Sequence, residues 1–226
     1  MSKAGLKGIG ILVVILLAFV YEAKASTGIL LPMLIIADII AVVFYRRAVR
    51  WDYLKRFLPW MIVGVLFGTY VGKEMPEEIF KKGMAIIILI SVLIMFALER
   101  YDKSKIPDRM WFARSMGFAA GFTTMIGNLA GAFSNIFFLA SRIPKIEFIG
   151  TAAWLFFFIN LFKLPFHIWS WKTIDSNTLY INLTLVPGII VGFYIGLKIV
   201  DKFKEHHFRK FILVMTAIGA MAMLCR

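Results

Sequence analysis

The chain has little of what soluble enzymes use for chemistry. Its 226 residues hold one cysteine, Cys225, and three histidines, His167, His206 and His207. A lone cysteine beside the C-terminus excludes an intrachain disulfide, a cysteine-based metal cluster and a thiol relay. His206 and His207, next to Lys204 and Arg209, have no metal-ligand spacing, so neither a metal nor a cofactor is expected. Acidic residues are also scarce, with 13 Asp+Glu against 26 Lys+Arg and a net charge of +13. Charged residues make up 17% of the chain, whereas 61% is hydrophobic and 15% aromatic. Soluble domains average about a quarter charged residues and roughly 45–50% apolar ones, so this chain cannot cover an apolar interior with a polar surface. The composition excludes an ordinary cytosolic enzyme. The basic surplus does not indicate nucleic acid either, because it falls in short bursts between apolar runs, where multi-pass membrane proteins keep cytoplasmic Lys and Arg.

A bilayer core of about 30 Å takes about 20 mostly apolar residues per helix. The apolar runs are Gly28 to Tyr45, Phe57 to Val71, Met84 to Leu98, Phe112 to Ala140, Phe148 to Trp171, Leu179 to Leu197 and Phe211 to Leu224. The run from Phe112 to Ala140 is too long for one simple helix and contains Gly117, Gly121, Gly127 and Gly131. It reads as broken or re-entrant, a form that survives at membrane depth only where protein or a watery cavity surrounds the open backbone. The expected fold is an all-α integral membrane protein of about seven to eight hydrophobic segments. Near the N-terminus, Ile9 to Val20 followed by Ala23-Lys24-Ala25 imitates a secretory signal with its cleavage site. The repeat described next gives those residues a structural partner instead.

Sliding the chain against itself by 122 residues pairs Ser2 with Thr124, Gly5 with Gly127, Gly28 with Gly150, Asp38 with Asn160 and Phe44 with Phe166. A slide of 128 pairs Pro59, Gly64, Gly68, Glu77, Phe80, Lys81 and Lys82 with Pro187, Gly192, Gly196, Glu205, Phe208, Arg209 and Lys210. Two prolines, four glycines and the E-x2-F-[KR]-K tail in register indicate a duplication: a first repeat over 1–98, a cytoplasmic linker over 99–110 and a second repeat over 111–226. If Phe112 to Ala140 dips in and returns, one membrane face collects 17 basic residues and the other 7, leaving aside Lys3 and Lys7. A single crossing would leave almost no bias. The charge asymmetry therefore favours an inverted repeat with the 17-charge face cytoplasmic. The second repeat also has about a dozen residues, Trp111 to Thr123, ahead of the point where Met1 aligns, so an arm preceding Met1 is expected to be missing from the first repeat.

The stretch Ser2-Lys3-Ala4-Gly5-Leu6-Lys7-Gly8-Ile9-Gly10, the run Thr27-Gly28-Ile29-Leu30-Leu31-Pro32 continuing to Asp38, and Tyr45-Arg46-Arg47 resemble the first half of the TauE/SafE sulfite exporter family. Gly121-Phe122-Thr123-Thr124-Met125-Ile126-Gly127-Asn128, Phe148-Ile149-Gly150-Thr151 and Asn160-Leu161-Phe162-Lys163-Leu164-Pro165-Phe166 resemble its second half. The resemblance spans nearly the whole chain. It implies a bacterial inner-membrane transporter of sulfite or other small organosulfur or carboxylate anions and no enzymatic activity. The implied partners are the anion and the lipid bilayer, with a homo-oligomer left open. The alternatives are an inactive or accessory membrane subunit and an intramembrane enzyme. The enzyme would need a convergent set of acids, His or Cys, whereas Asp38 is the only acid well inside a span.

An anion at membrane depth needs its charge compensated, and broken helices can supply unpaired N–H groups and a positive dipole end. The candidate binding residues are Thr123, Thr124, Gly127 and Asn128 at the break of the second repeat, with Lys3 and Gly5 at its mate over Ser2 to Gly10. Helix packing is the competing role for the small residues among them. Asn160 and Lys163, further candidate binding residues, recur with His167 along one helical face. Lys163 either meets the anion, pairs with Asp38 or snorkels to the interface, and His167 reads as interfacial. Asp38 is the candidate proton-coupling group, because burial of a carboxylate favours its protonated form. The glycines that follow Pro59 and Pro187 have small-xxx-small spacing and read as helix-packing sites.

Overall fold

The computed structural model describes residues 9–100, 109–141, 143–200 and 205–225. Lys3 and Gly5, with the rest of the expected first break up to Gly8, lie outside the described residues. The described chain forms nine α-helices and no strand: α1 Ile9–Val20, α2 Ala23–Tyr45, α3 Trp51–Lys73, α4 Glu77–Arg100, α5 Met110–Gly127, α6 Gly131–Ala140, α7 Lys145–Pro165, α8 Ser176–Val200 and α9 Glu205–Cys225. A π-helical turn, Phe166–Ser170, extends α7. Among the described residues, four stretches are long and apolar enough to cross a membrane, Ala23–Tyr45, Trp51–Lys73, Glu77–Ala97 and Ile146–Ser170. Large side chains on their outer faces, such as Val43, Tyr70 and Leu93, are exposed, as lipid-facing residues must be.

The long run from Phe112 to Ala140 is broken, as its glycines predict, into α5 and α6. Asn128 ends α5 in the left-handed conformation at φ 57° and ψ 32°, a region that Asn tolerates better than other side-chain-bearing residues. A second break, between α1 and α2 at Tyr21–Glu22, was not evident from composition. Glu77 holds it, accepting hydrogen bonds from the backbone N–H groups of Ala23 and Lys24 at the positive end of α2. In return, the Lys24 ammonium donates to the carbonyls of Lys73 and Met75 where α3 ends, at 3.0 and 3.3 Å. The Ala23-Lys24-Ala25 run that imitates a cleavage site is the first turn of a helix, with Ala23 buried.

Close packing of small residues joins α3 to α5. A Cβ on Gly121 would stand 1.9 Å from the Met61 carbonyl oxygen, and one on Gly64 would stand 2.1 Å from that of Phe118. Gly117 and Gly68 meet the same facing helix, so the small-xxx-small spacing lets two backbones touch, the usual route to helix association where lipid offers no hydrophobic gain. Aromatic packing extends this core to α6, where Phe137 stacks on Phe57 with ring centroids 4.6 Å apart and both rings are buried.

Helix positions follow the spacing found in the sequence. α2 and α7 begin 122 residues apart. α8 begins three residues before the slide of 128 would place it. The packing is paired in the same way: α2 lies on α7 and α4 on α9, while α1 on α9 is answered by α6 on α4, and α2 on α8 by α7 on α3. Along α2 and α7 the contacts run in opposite directions. Gly28 near the start of α2 meets Thr173 just beyond α7, Asp38 meets Asn160 midway, and Gly150 near the start of α7 meets Ala48 just beyond α2. The two helices are therefore antiparallel.

Candidate functional site

Between α2, the end of α5 and α7 lies a layer of buried polar side chains in an otherwise apolar interior. Asp38, Lys163 and His167 have no exposed surface, and Thr27, Thr124 and Asn160 have almost none. Groups this polar persist inside a membrane protein only when they satisfy one another or serve a function.

Lys163 is at its centre. Its ammonium donates to the Thr124 carbonyl at 2.7 Å, the Asn128 side-chain oxygen at 2.5 Å and the Thr124 hydroxyl at 3.3 Å. The side chain does not snorkel to the interface, one of the outcomes the sequence left open. It reaches the C-terminal end of α5, where helix carbonyls lose their intrahelical partners and the dipole is negative. Asn128 joins the helices by donating through Nδ2 to the Thr27 carbonyl of α2 at 3.2 Å.

This geometry corrects one expectation. The break was read as a set of donors aimed at an anion, yet what Thr124 and Asn128 present to the site are acceptors, because Asn128 caps the carbonyl end of α5. The cation at the site is Lys163. Thr123 turns its hydroxyl back to the carbonyl of Ala119 at 2.8 Å. A Cβ on Gly127 would meet the side chains of Leu129 and Met84 at 2.8 and 3.1 Å, so its small size serves apolar packing. Of the residues singled out in the sequence, the structure brings together Thr124, Asn128, Asn160, Lys163 and Asp38. Thr123 and Gly127 lie beside them, facing elsewhere.

Asn160 precedes Lys163 by one turn of α7 and donates through Nδ2 to the Asp38 carboxylate at 2.7 Å. Each is the other's counterpart at the sequence spacing of 122.

His167 was read as interfacial and is instead fully buried. Pro165 has no N–H to donate to the preceding turn, and beyond it the helix widens into the π turn, closed by the Trp171 amide on the Phe166 carbonyl at 2.8 Å. Such widened turns are frequent at functional sites. Lys172 then takes the left-handed conformation at φ 52° and folds Thr173 back, its amide on the His167 carbonyl at 2.9 Å and its hydroxyl 2.8 Å from His167 Nδ1. Gly28 makes room, since a Cβ there would stand 2.4 Å from the Thr173 carbonyl oxygen. The Trp171 indole donates to the Thr69 carbonyl at 3.1 Å and packs edge-on to His167, fixing the turn against α3. Sequence reasoning missed this because two tryptophans near a helix end, Trp169 and Trp171, usually mark the membrane interface. Trp169 is exposed as that rule predicts, whereas Trp171 is buried.

The described residues contain no cluster of three or more His, Cys, Asp or Glu able to hold a metal ion. The arrangement brings together a buried ammonium, hydrogen-bonding side chains and a buried carboxylate. Residues 3–223 match the family model described as Sulfite exporter TauE/SafE, so the chain belongs to that family and is a multi-pass membrane protein. No curated protein and no solved structure matches it.

Proposed function

From this membership of the TauE/SafE family, we propose that the chain transports a small anion, sulfite or another organosulfur or carboxylate anion, across the bacterial inner membrane by alternating access. Lys163 carries the reading. A fully buried ammonium that donates to the end of a broken helix is a charge the solute can meet after exchanging one of those bonds. Asp38 is the proton-coupling group. Protonating it as the anion arrives keeps the interior from gaining net negative charge, which hydrocarbon surroundings penalise heavily.

Two inverted repeats, 1–98 and 111–226 joined by the linker 99–110, supply the moving parts. Support comes from the antiparallel run of α2 against α7, because counterparts that traverse a bilayer in opposite directions are what inversion means. By those contacts Arg46, Arg47 and Arg50, just beyond α2, lie at the end of the pair where α7 begins. That end takes the cytoplasmic side by its charge. Lys163 and His167 then lie in the opposite half of the bilayer.

The test is uptake of labelled sulfite, a sulfonate and a short carboxylate into vesicles carrying the full chain, with and without a pH gradient. Wild type is expected to move at least one of these anions and Lys163→Met to move none. Equal transport by Lys163→Met would overturn the assignment, and no anion moved by either form would favour the accessory-subunit reading.

A further inference from the structure

We propose that Nε2 of His167 is a second ligand for the transported anion, donating a hydrogen bond that complements the Lys163 charge. The proposal rests on the reading of Lys163 given above.

Three observations carry it. The His167 ring is fully buried, and its Nε2 has no hydrogen-bond partner among the described residues. Native interiors seldom leave a buried polar atom unmatched, and one that persists calls for a functional reason. Second, the other ring nitrogen is committed. Thr173 Oγ1 stands 2.8 Å from Nδ1, while its distance to the next available acceptor, the His167 carbonyl, is 3.5 Å. With the Thr173 hydroxyl donating into Nδ1, the neutral imidazole carries its own proton on Nε2, and the proposal is made for that tautomer. In that tautomer the unmatched atom is a donor, the type an oxyanion requires. Third, His167 follows Lys163 by four residues on the same helix, so their Cβ atoms stand about 5–6 Å apart on one face. An oxyanion with two or three oxygens can bridge that gap, one oxygen on the ammonium and another on Nε2–H. The π turn, the left-handed Lys172 and the close approach of Thr173 to Gly28 all hold the ring in this orientation.

Two substitutions separate a donating role from a merely structural one. His167→Asn keeps a polar atom where Nδ1 meets Thr173 and removes Nε2. His167→Gln keeps an N–H near Nε2 and cannot titrate. Binding of labelled sulfite, or of a sulfonate or short carboxylate if wild type prefers it, is measured on the purified full chain in detergent, together with the thermal stability of each variant. A hydrogen bond to a charged ligand corresponds to about 10- to 100-fold in Kd. His167→Asn is expected to weaken binding by that factor and His167→Gln by less than about 3-fold, both at wild-type stability. Wild-type affinity in His167→Asn overturns the proposal, as does equal loss in both variants. Lys163→Met distinguishes the two readings: if it loses binding while His167→Asn does not, the Lys163 site stands and the His167 ligand falls, whereas unchanged affinity in Lys163→Met removes the site itself.

Discussion

Replacing Gly121 by Ala tests whether the α3–α5 contact positions the site. The added Cβ would lie 1.9 Å from the Met61 carbonyl oxygen and 3.0 Å from the Gly64 Cα. An ordinary carbon-to-carbonyl contact is about 3.3 Å, so the helices must part by more than about 1 Å. Both atoms approached are backbone, and no rotamer change can relieve them. Overpacking of this kind costs about 3 kcal/mol, offset by up to about 1 kcal/mol because Ala favours helix over Gly. The net loss of about 2 kcal/mol lowers the melting temperature by about 4–8 °C for a chain of this length. Gly83→Ala is the matched control. It lies within α4 with nothing inside 4 Å of its added Cβ, so it should gain about 0.5–1 kcal/mol from helix propensity alone. Melting is followed by circular dichroism in one detergent for all three forms. Because α5 carries Thr124 and Asn128, Gly121→Ala should also weaken anion transport. A Gly121→Ala protein melting at or above the wild-type temperature would refute the reasoning.

Asp38→Asn keeps an oxygen for the Asn160 amide to bond, so it should fold normally while transport loses its dependence on a pH gradient; an unchanged dependence in vesicles would remove Asp38 from the coupling role. Asn128→Gly keeps the left-handed end of α5 but deletes the side-chain bonds to Lys163 and Thr27. Transport should fall about 10-fold or more at nearly unchanged stability, whereas Asn128→Ala should melt lower because a left-handed Ala costs about 1–2 kcal/mol more. Hydrogen bonds from the Thr178 amide and hydroxyl hold the Asp175 carboxyl below its ordinary value of 3.8, capping α8. A depressed folded value means that the cap contributes fully above about pH 4 and is lost as pH falls through the lower folded value. Hydrogen exchange should show the α8 N-terminus losing protection only in that acid range, and Asp175→Ala should lack it at every pH.

The all-helical class, the break within Phe112 to Ala140 and the packing role of the glycines were legible in the sequence because each has a local cause: apolar run length, glycine at the break, and spacing of four along a helix. Gly64 and Gly68 follow that rule directly, whereas Gly121, read as part of the break, lies inside α5 and packs against α3. Asn128 was legible as a polar residue at a break, but its direction was not, since only the fold reveals whether a break presents the donor end or the carbonyl end of a helix. Lys163 illustrates the same limit. A lysine near two tryptophans reads equally as buried or snorkelled, and burial is decided by which helix end lies opposite. For His167, the turn that buries it depends on Pro165, Lys172 and the space at Gly28, residues whose joint effect becomes visible only when α2 and α7 are brought together.

The pair Asp38 and Asn160 links the proposed duplication to the proposed chemistry. Around an axis relating two copies of a helix, equivalent residues come into contact with each other, and a homologous pair of carboxylates there would bring two negative charges together in a low-dielectric interior. Amide on one side and carboxylate on the other removes that repulsion and supplies a hydrogen bond of 2.7 Å. The asymmetry extends outward along α7, where Lys163 and His167 have Ala41 and Tyr45 as their counterparts at the same spacing of 122. A duplicated scaffold would thus carry its polar equipment on one copy and its titratable acid on the other. In such an arrangement, rocking of the halves against each other changes the distance between charge and acid without moving either along its own helix. Under the proposed function, that change in distance would couple a proton on Asp38 to an anion held at Lys163.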